Sequence, residues 1–160
     1  MSVAFTREES AETAAAVELP DRPISPHPNL VTQSGLKALE AAMAAARAAY
    51  QAAHQIEDLN ERRSAVAAAS RDMRYFSERL RTAQLMPDPA ERDTAAFGSR
   101  VTFLREDGRR QTFRIVGEDE ADPKAGSISY VSPVARALID KVVGDRVVLG
   151  DHEIDVLGVN

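Results

Sequence analysis

The chain has 160 residues and carries 20 Lys and Arg against 25 Asp and Glu, for a formal charge of −5. That length suits one medium domain or two small ones, and the acidic balance argues against nucleic-acid binding through bulk charge, which rests on neutralising phosphates. Cysteine and tryptophan are absent and aromatics reach only 5%; this excludes disulfides, thiolate metal sites and a cysteine nucleophile, and leaves a largely aliphatic core.

The N-terminus, MSVAFTREESAE, is acidic and has no apolar segment of the signal-peptide kind. No apolar run approaches the roughly 18 residues of a membrane span. The expectation is a cytoplasmic protein with no membrane partner. Residues 1–31 carry five acids and two bases, residues 32–86 six and eight, and residues 87–160 fourteen and ten. Pro20, Pro23, Pro26 and Pro28 make residues 1–30 an extended, proline-rich arm, since each proline lacks a donor and biases its predecessor away from helix. Such an arm is either flexible or packed along the domain behind it, with Ile24 and Leu30 as anchors.

Residues 31–86 carry the clearest periodicity. Leu36, Leu39, Met43, Ala46, Tyr50 and Ala53 are spaced alternately by three and four, and Val66, Ala69, Met73, Phe76, Leu80 and Ala83 repeat the pattern. These stripes predict two alanine-rich helices with coiled-coil seams, the first N-capped by Thr32. The break at QIEDLNE is short, so the helices must turn back on each other as a hairpin. Two helices of about 23 residues make a finger of about 35 Å. Glu57, Asp58 and Glu61 fall at its tip. The simpler account of them is a polar tip with acids favoured at a helix N-terminus. The functional account is a set of carboxylates delivered on a stalk into a partner's cavity, to hold a hard cation or orient water.

Prolines 87 and 89 open a linker over 87–96, and the period then changes to two. Val101 and Phe103, then Phe113 and Ile115, flank a hairpin turn at Asp107-Gly108. An acidic loop with Glu118, Asp119, Glu120 and Asp122 comes next, then a strand over Ser127–Val131. Ser132-Pro133 reads as an N-cap with proline at the first helical position, opening a helix over Pro133–Asp140. Strands over Asp145–Leu149 and Glu153–Val159 complete a small antiparallel sheet with one helix, so the predicted class is α+β. His27, His54 and His152 lie in three separate segments without ligand spacing, and no glycine-rich phosphate loop or nucleophile elbow is present. The chain therefore reads as a poor candidate for a free-standing enzyme, with no metal site or cofactor of its own. The acidic loop beside the Ser-Pro helix reads equally as a solvated loop or as a docking surface for a basic partner, and composition alone does not choose between them.

The run FGSRVTFLREDGRRQTFRIVGEDEADPKAGSISYVSPVARALIDKVVGD closely resembles the C-terminal domain of the GreA/GreB family of bacterial transcription elongation factors. Its strongest stretches are RIVGEDEAD (Arg114–Asp122) and SPVARALI (Ser132–Ile139), and Thr32, Gly35 and Leu39 match the family's helix opening. The match is tight over 97–149 and loose over 31–160. The resemblance implies an FKBP-like domain over 97–160 that docks at the rim of the RNA polymerase secondary channel, and a coiled-coil finger that enters the channel. Ser132, Pro133, Ala135 and Arg136 match the family's docking run, beside the acids Glu118, Asp119, Glu120 and Asp122. Asp58-Leu59-Asn60-Glu61 matches the Asp-Leu-x-Glu tip of the cleavage-stimulating members. There the two acids help retain a second Mg²⁺ in the polymerase active site and activate water to cut backtracked RNA.

The polymerase is the catalyst in that scheme. The factor is an accessory with no cofactor of its own, touches nascent RNA only indirectly near its tip, and makes no direct contact with DNA. Two features depart from the pattern. Glu57 stands where the family has Gly, with Arg62-Arg63-Ser64 after the motif, and the finger is shorter than in full-length factors by about three turns per helix, or about 15 Å. A short-fingered, non-cleaving channel occupant, like the Rnk-type relatives, is the alternative. A remote one is an FKBP-type prolyl isomerase, for which residues 97–160 offer only Phe97, Phe103, Phe113 and Tyr130 as pocket aromatics.

Overall fold

The computed structural model describes residues 19–160; the first part of the proline-rich arm lies outside them. The described chain divides into two units, one of residues 19–25 with Glu40–Arg81, the other of Pro26–Leu39 with Thr82–Asn160. No helix among the described residues is long and apolar enough to cross a membrane.

The helical hairpin is α1 (Gln33–Ala53) and α2 (Leu59–Thr82). Their 21 and 24 residues correspond to about 32 and 36 Å of helix. The heptad stripe holds along α1: Leu39, Met43, Ala46 and Ala53 are buried, while Leu36 and Tyr50 are half-buried. Along α2 only Ala69 of the expected stripe is fully buried; Val66, Met73, Phe76 and Leu80 are half-buried. The largest buried side chain there is Arg79, which lies off the stripe and is 2% exposed. At the end of α1 the helix tightens: Gln55 and Ile56 donate to the carbonyls of Ala52 and Ala53, three residues back, and the Tyr50 ring meets His54 edge-on at 4.7 Å.

Residues 19–25 belong with the hairpin. The Arg22 guanidinium lies 3.8 Å from the Tyr75 ring centroid and 5.1 Å from that of Phe76, and it pairs with Asp72 at 3.4 Å. Asp21 accepts from Arg74 at 2.6 Å. Ile24, one of the two apolar anchors expected in this arm, is instead 43% exposed. An arginine makes the contact because its planar cation stacks on aromatic faces while pairing with a carboxylate.

In the second unit, β1 (Leu30–Val31) pairs in parallel with β2 (Gln84–Leu85). Gln84 donates to the Asn29 carbonyl at 2.8 Å and Met86 to that of Val31 at 2.9 Å, so the chain entering α1 is tied to the chain leaving α2. The Tyr130 hydroxyl donates to the Pro28 carbonyl at 2.5 Å. Neither short strand was expected from periodicity. The main sheet contains β3 (Arg100–Arg105), β4 (Arg110–Val116), β5 (Ser127–Ser129), β6 (Arg146–Leu149) and β7 (His152–Val159), in the order β5-β4-β3-β7-β6.

The α+β class stands, but the sheet is mixed rather than antiparallel, because β4 and β5 run parallel. A tight hairpin reverses direction, whereas the chain between these strands makes a crossover through residues 117–126, including a 3₁₀ turn at Pro123–Ala125. A bulge interrupts the β3–β7 ladder, where Thr102 pairs with Gly158 and Phe103 with Val156. The core lies between the inner sheet face and α3 (Pro133–Leu138), and includes Val101, Phe103, Ile115, Ala135, Leu138, Ile154 and Val156. Ala95, within the stretch read as a linker, is fully buried and bonded through its backbone to Asp140 and Lys141.

Candidate functional site

Asp58 is the N-cap of α2. Its Oδ1 accepts the Glu61 N–H at 2.8 Å and its carbonyl accepts the Arg62 N–H at 2.9 Å, which satisfies donors that a helix start otherwise leaves unmade. Asp58 and Glu61 thus hold the two ends of a capping-box spacing. The Arg62 guanidinium reaches back to the Ile56 carbonyl at 3.0 Å and braces the turn. Glu57, Asp58, Leu59, Asn60 and Glu61 are all exposed. The two acids are therefore exposed on a turn whose backbone the cap bonds to. Among the described residues, no group of three or more His, Asp or Glu side chains is arranged to hold a metal ion.

The four acids of the 117–122 loop do not share one face. Asp119 and Asp122 are exposed and Glu118 is half-buried. Asp122 caps the 3₁₀ turn by accepting the Lys124 N–H at 3.2 Å. Glu120 turns inward, with a side chain 18% exposed, and accepts the hydroxyls of Thr32 and Ser34, each at 2.6 Å. Arg114 donates to Ser34 Oγ at 3.3 Å and to the Gly98 carbonyl at 3.4 Å, and pairs with Asp88 at 3.5 Å.

Ser132 caps α3 by accepting the Ala135 N–H at 3.3 Å, with Pro133 in the first turn. Pro133 and Arg136 are exposed. Ala135 is fully buried in the sheet core, so its side chain has no surface to offer a partner; its small size instead lets α3 lie close on the sheet. Asp119, Asp122, Pro133 and Arg136 are the exposed members of the expected docking set.

The sheet unit also holds a cleft of about 620 Å³, floored by Phe103, Phe113, Ile128, Val134 and Ile154. Phe97 and Tyr130 are not in its lining; they meet edge-to-face, with ring centroids 5.7 Å apart. At its mouth Glu106 accepts the Glu153 N–H at 2.8 Å and faces His152 Nδ1 at 3.4 Å. The Glu153 N–H first, then His152, hold the Glu106 carboxyl below the usual glutamate range.

Sequence reasoning missed the glycine contacts that shape this unit. A Cβ on Gly117 would collide with the Leu30 carbonyl oxygen, and one on Gly35 would lie 2.6 Å from Glu120 Oε2. Both glycines sit inside the stretches that carry the family resemblance, and that was the available signal.

The class of protein is settled by comparison. Residues 89–159 match the family model described as "Transcription elongation factor, GreA/GreB, C-term". GreA of Vibrio parahaemolyticus serotype O3:K6 is 39% identical over 117 residues, covering 68% of this chain and 69% of that protein. The chain belongs to the GreA/GreB family. GreB of Neisseria meningitidis serogroup B is 45% identical over 96 residues, 56% of this chain and 58% of the relative's length, so the shared stretch spans under two thirds of that protein. Gfh1 of Thermus thermophilus is 21% identical, with 84% of this chain and 99% of that one covered at a TM-score of 0.39; a likeness that weak carries no weight.

Proposed function

We propose that this protein is a transcription elongation factor that binds bacterial RNA polymerase at the rim of the secondary channel and inserts its hairpin into the channel. It is an accessory and not itself an enzyme. Asp58 and Glu61 then serve beside the polymerase Mg²⁺, where a second cation supplies Lewis-acid charge and a more acidic bound water for cutting backtracked RNA. The observation that carries this reading is the capped tip. The two acids are exposed, and the Asp58 hydrogen bond to the Glu61 N–H holds the turn that bears them. Catalysis by proximity needs groups held in one geometry before they meet the reacting atoms. Asp119, Asp122, Pro133 and Arg136 form the docking set at the rim, with the FKBP-like domain as the base.

A second reading has its own support. One Asp58 oxygen is already committed to the helix cap and Arg62 braces the turn, while α1 contains only 21 residues. Those features favour a factor that occupies the channel without stimulating cleavage. RNA cleavage in stalled, backtracked complexes with the cognate polymerase separates the two readings. Stimulation by wild type that is lost in Asp58→Asn/Glu61→Gln supports the first. Displacement of other channel-binding factors without any cleavage supports the second.

A further inference from the structure

The Thr32-x-x-Gly35 opening and the Gly117–Asp122 loop meet around one carboxylate. Thr32 starts α1 as an N-cap: its Oγ1 accepts the Gly35 N–H at 3.0 Å and its carbonyl accepts the Leu36 N–H at 2.9 Å. A capping box would place Glu or Gln at the position of Gly35, reaching back to the cap residue. Here Glu120 arrives from the loop. The Thr32 hydroxyl donates to its Oε2 and the Ser34 hydroxyl to its Oε1, each at 2.6 Å. Arg114 stands 3.9 Å from the same carboxylate and donates to Ser34. A Cβ at residue 35 would enter the space that Oε2 fills. Glycine is otherwise a poor choice within a first helical turn, since alanine favours helix far more.

We propose that Glu120 braces the Thr32 N-cap of α1 from the loop, through the Thr32 and Ser34 hydroxyls, and that Gly35 is glycine in order to admit it. Glu120 is then a positioning residue and leaves the docking set. Its negative charge lies at the positive end of the α1 dipole, and the two hydroxyls satisfy a half-buried carboxylate that would otherwise be costly to desolvate. Residues 117–122 thereby hold the first turn of the helix that leads to the tip. Gly117 makes this possible by letting the loop pass against Leu30.

The test is a cycle of four full-length proteins: wild type, Gly35→Ala, Glu120→Ala and the double variant, each unfolded in urea. With Glu120 present, Gly35→Ala displaces the carboxylate and lowers the folding equilibrium constant about fivefold. With Glu120→Ala, the same change acts through helix propensity alone and raises it about two- to fourfold. Amide exchange at residues 35–37 accelerates about tenfold in Glu120→Ala while β3 and β7 keep their protection. Glu120→Gln, which retains one acceptor, recovers part of that protection.

A Gly35→Ala effect of the same sign and size in both backgrounds overturns the proposal. So does unchanged exchange at 35–37 in Glu120→Ala. The cycle uses the factor alone, so its result stands whether or not the tip acids act in cleavage.

Discussion

Asp58 caps α2 and carries the charge proposed to act in cleavage, and substitution can separate the two. Asparagine still accepts the Glu61 N–H but removes the charge, whereas alanine removes both. Asp58→Asn is therefore expected to hold stability within about 0.5 kcal/mol, and Asp58→Ala to lose about 1 kcal/mol, read from urea midpoints at constant slope. At the cleft mouth, hydrogen bonds from the Glu153 N–H and His152 depress the Glu106 carboxyl. A depressed carboxylate contributes stability that is complete above the unfolded-state value and fades as pH falls through the folded-state one. The melting temperature of wild type should exceed that of Glu106→Gln at neutral pH, with the gap closing only below the usual glutamate range. A gap that widens on acidification contradicts the assignment.

Elements show what periodicity reveals and what it hides. The stripe from Leu36 to Ala53 marked α1 because one face of a helix repeats every three or four residues. Ser132-Pro133 marked the start of α3 because cap chemistry is local. The β1–β2 pair was invisible: two residues per strand have no period, and their partners are more than 50 positions apart. The parallel β5 was hidden for a related reason, since an apolar run of three does not reveal its neighbour's direction. Gly117→Ala should break the tie around β1. The Cβ meets backbone rather than a movable side chain, so a loss of about 2–3 kcal/mol is expected, with faster exchange at the Gln84 and Met86 amides. On the hairpin, Arg22→Ala removes a stacked cation and its ion pair with Asp72, which keeps Arg71 as a partner. A loss of about 1 kcal/mol is expected, with faster proteolysis within residues 19–25 and little change in the sheet.

For the whole molecule, the acidic charge gives way to a distribution with functional content. Residues 32–86 carry two more bases than acids, the balance that the proposed insertion near RNA calls for, and the surplus acid lies elsewhere. The candidate site was legible as far as motif and residue type reach: Asp58 and Glu61 stand exposed at the tip, and Asp119 and Arg136 on the surface. It was not legible where side-chain direction decides the role. In one acidic run Glu120 turns to the helix while Asp119 faces solvent, and within the Ser-Pro-x-Ala-Arg run Ala135 belongs to the core.

The most direct test compares wild type with Asp58→Asn/Glu61→Gln in backtracked complexes of the cognate polymerase, measuring RNA cleavage rate and factor affinity together. Wild type is expected to accelerate cleavage, and the double variant to bind with affinity within about twofold while losing at least tenfold in rate. Equal cleavage by the two proteins, or none by wild type at saturating binding, would contradict a catalytic role for the tip.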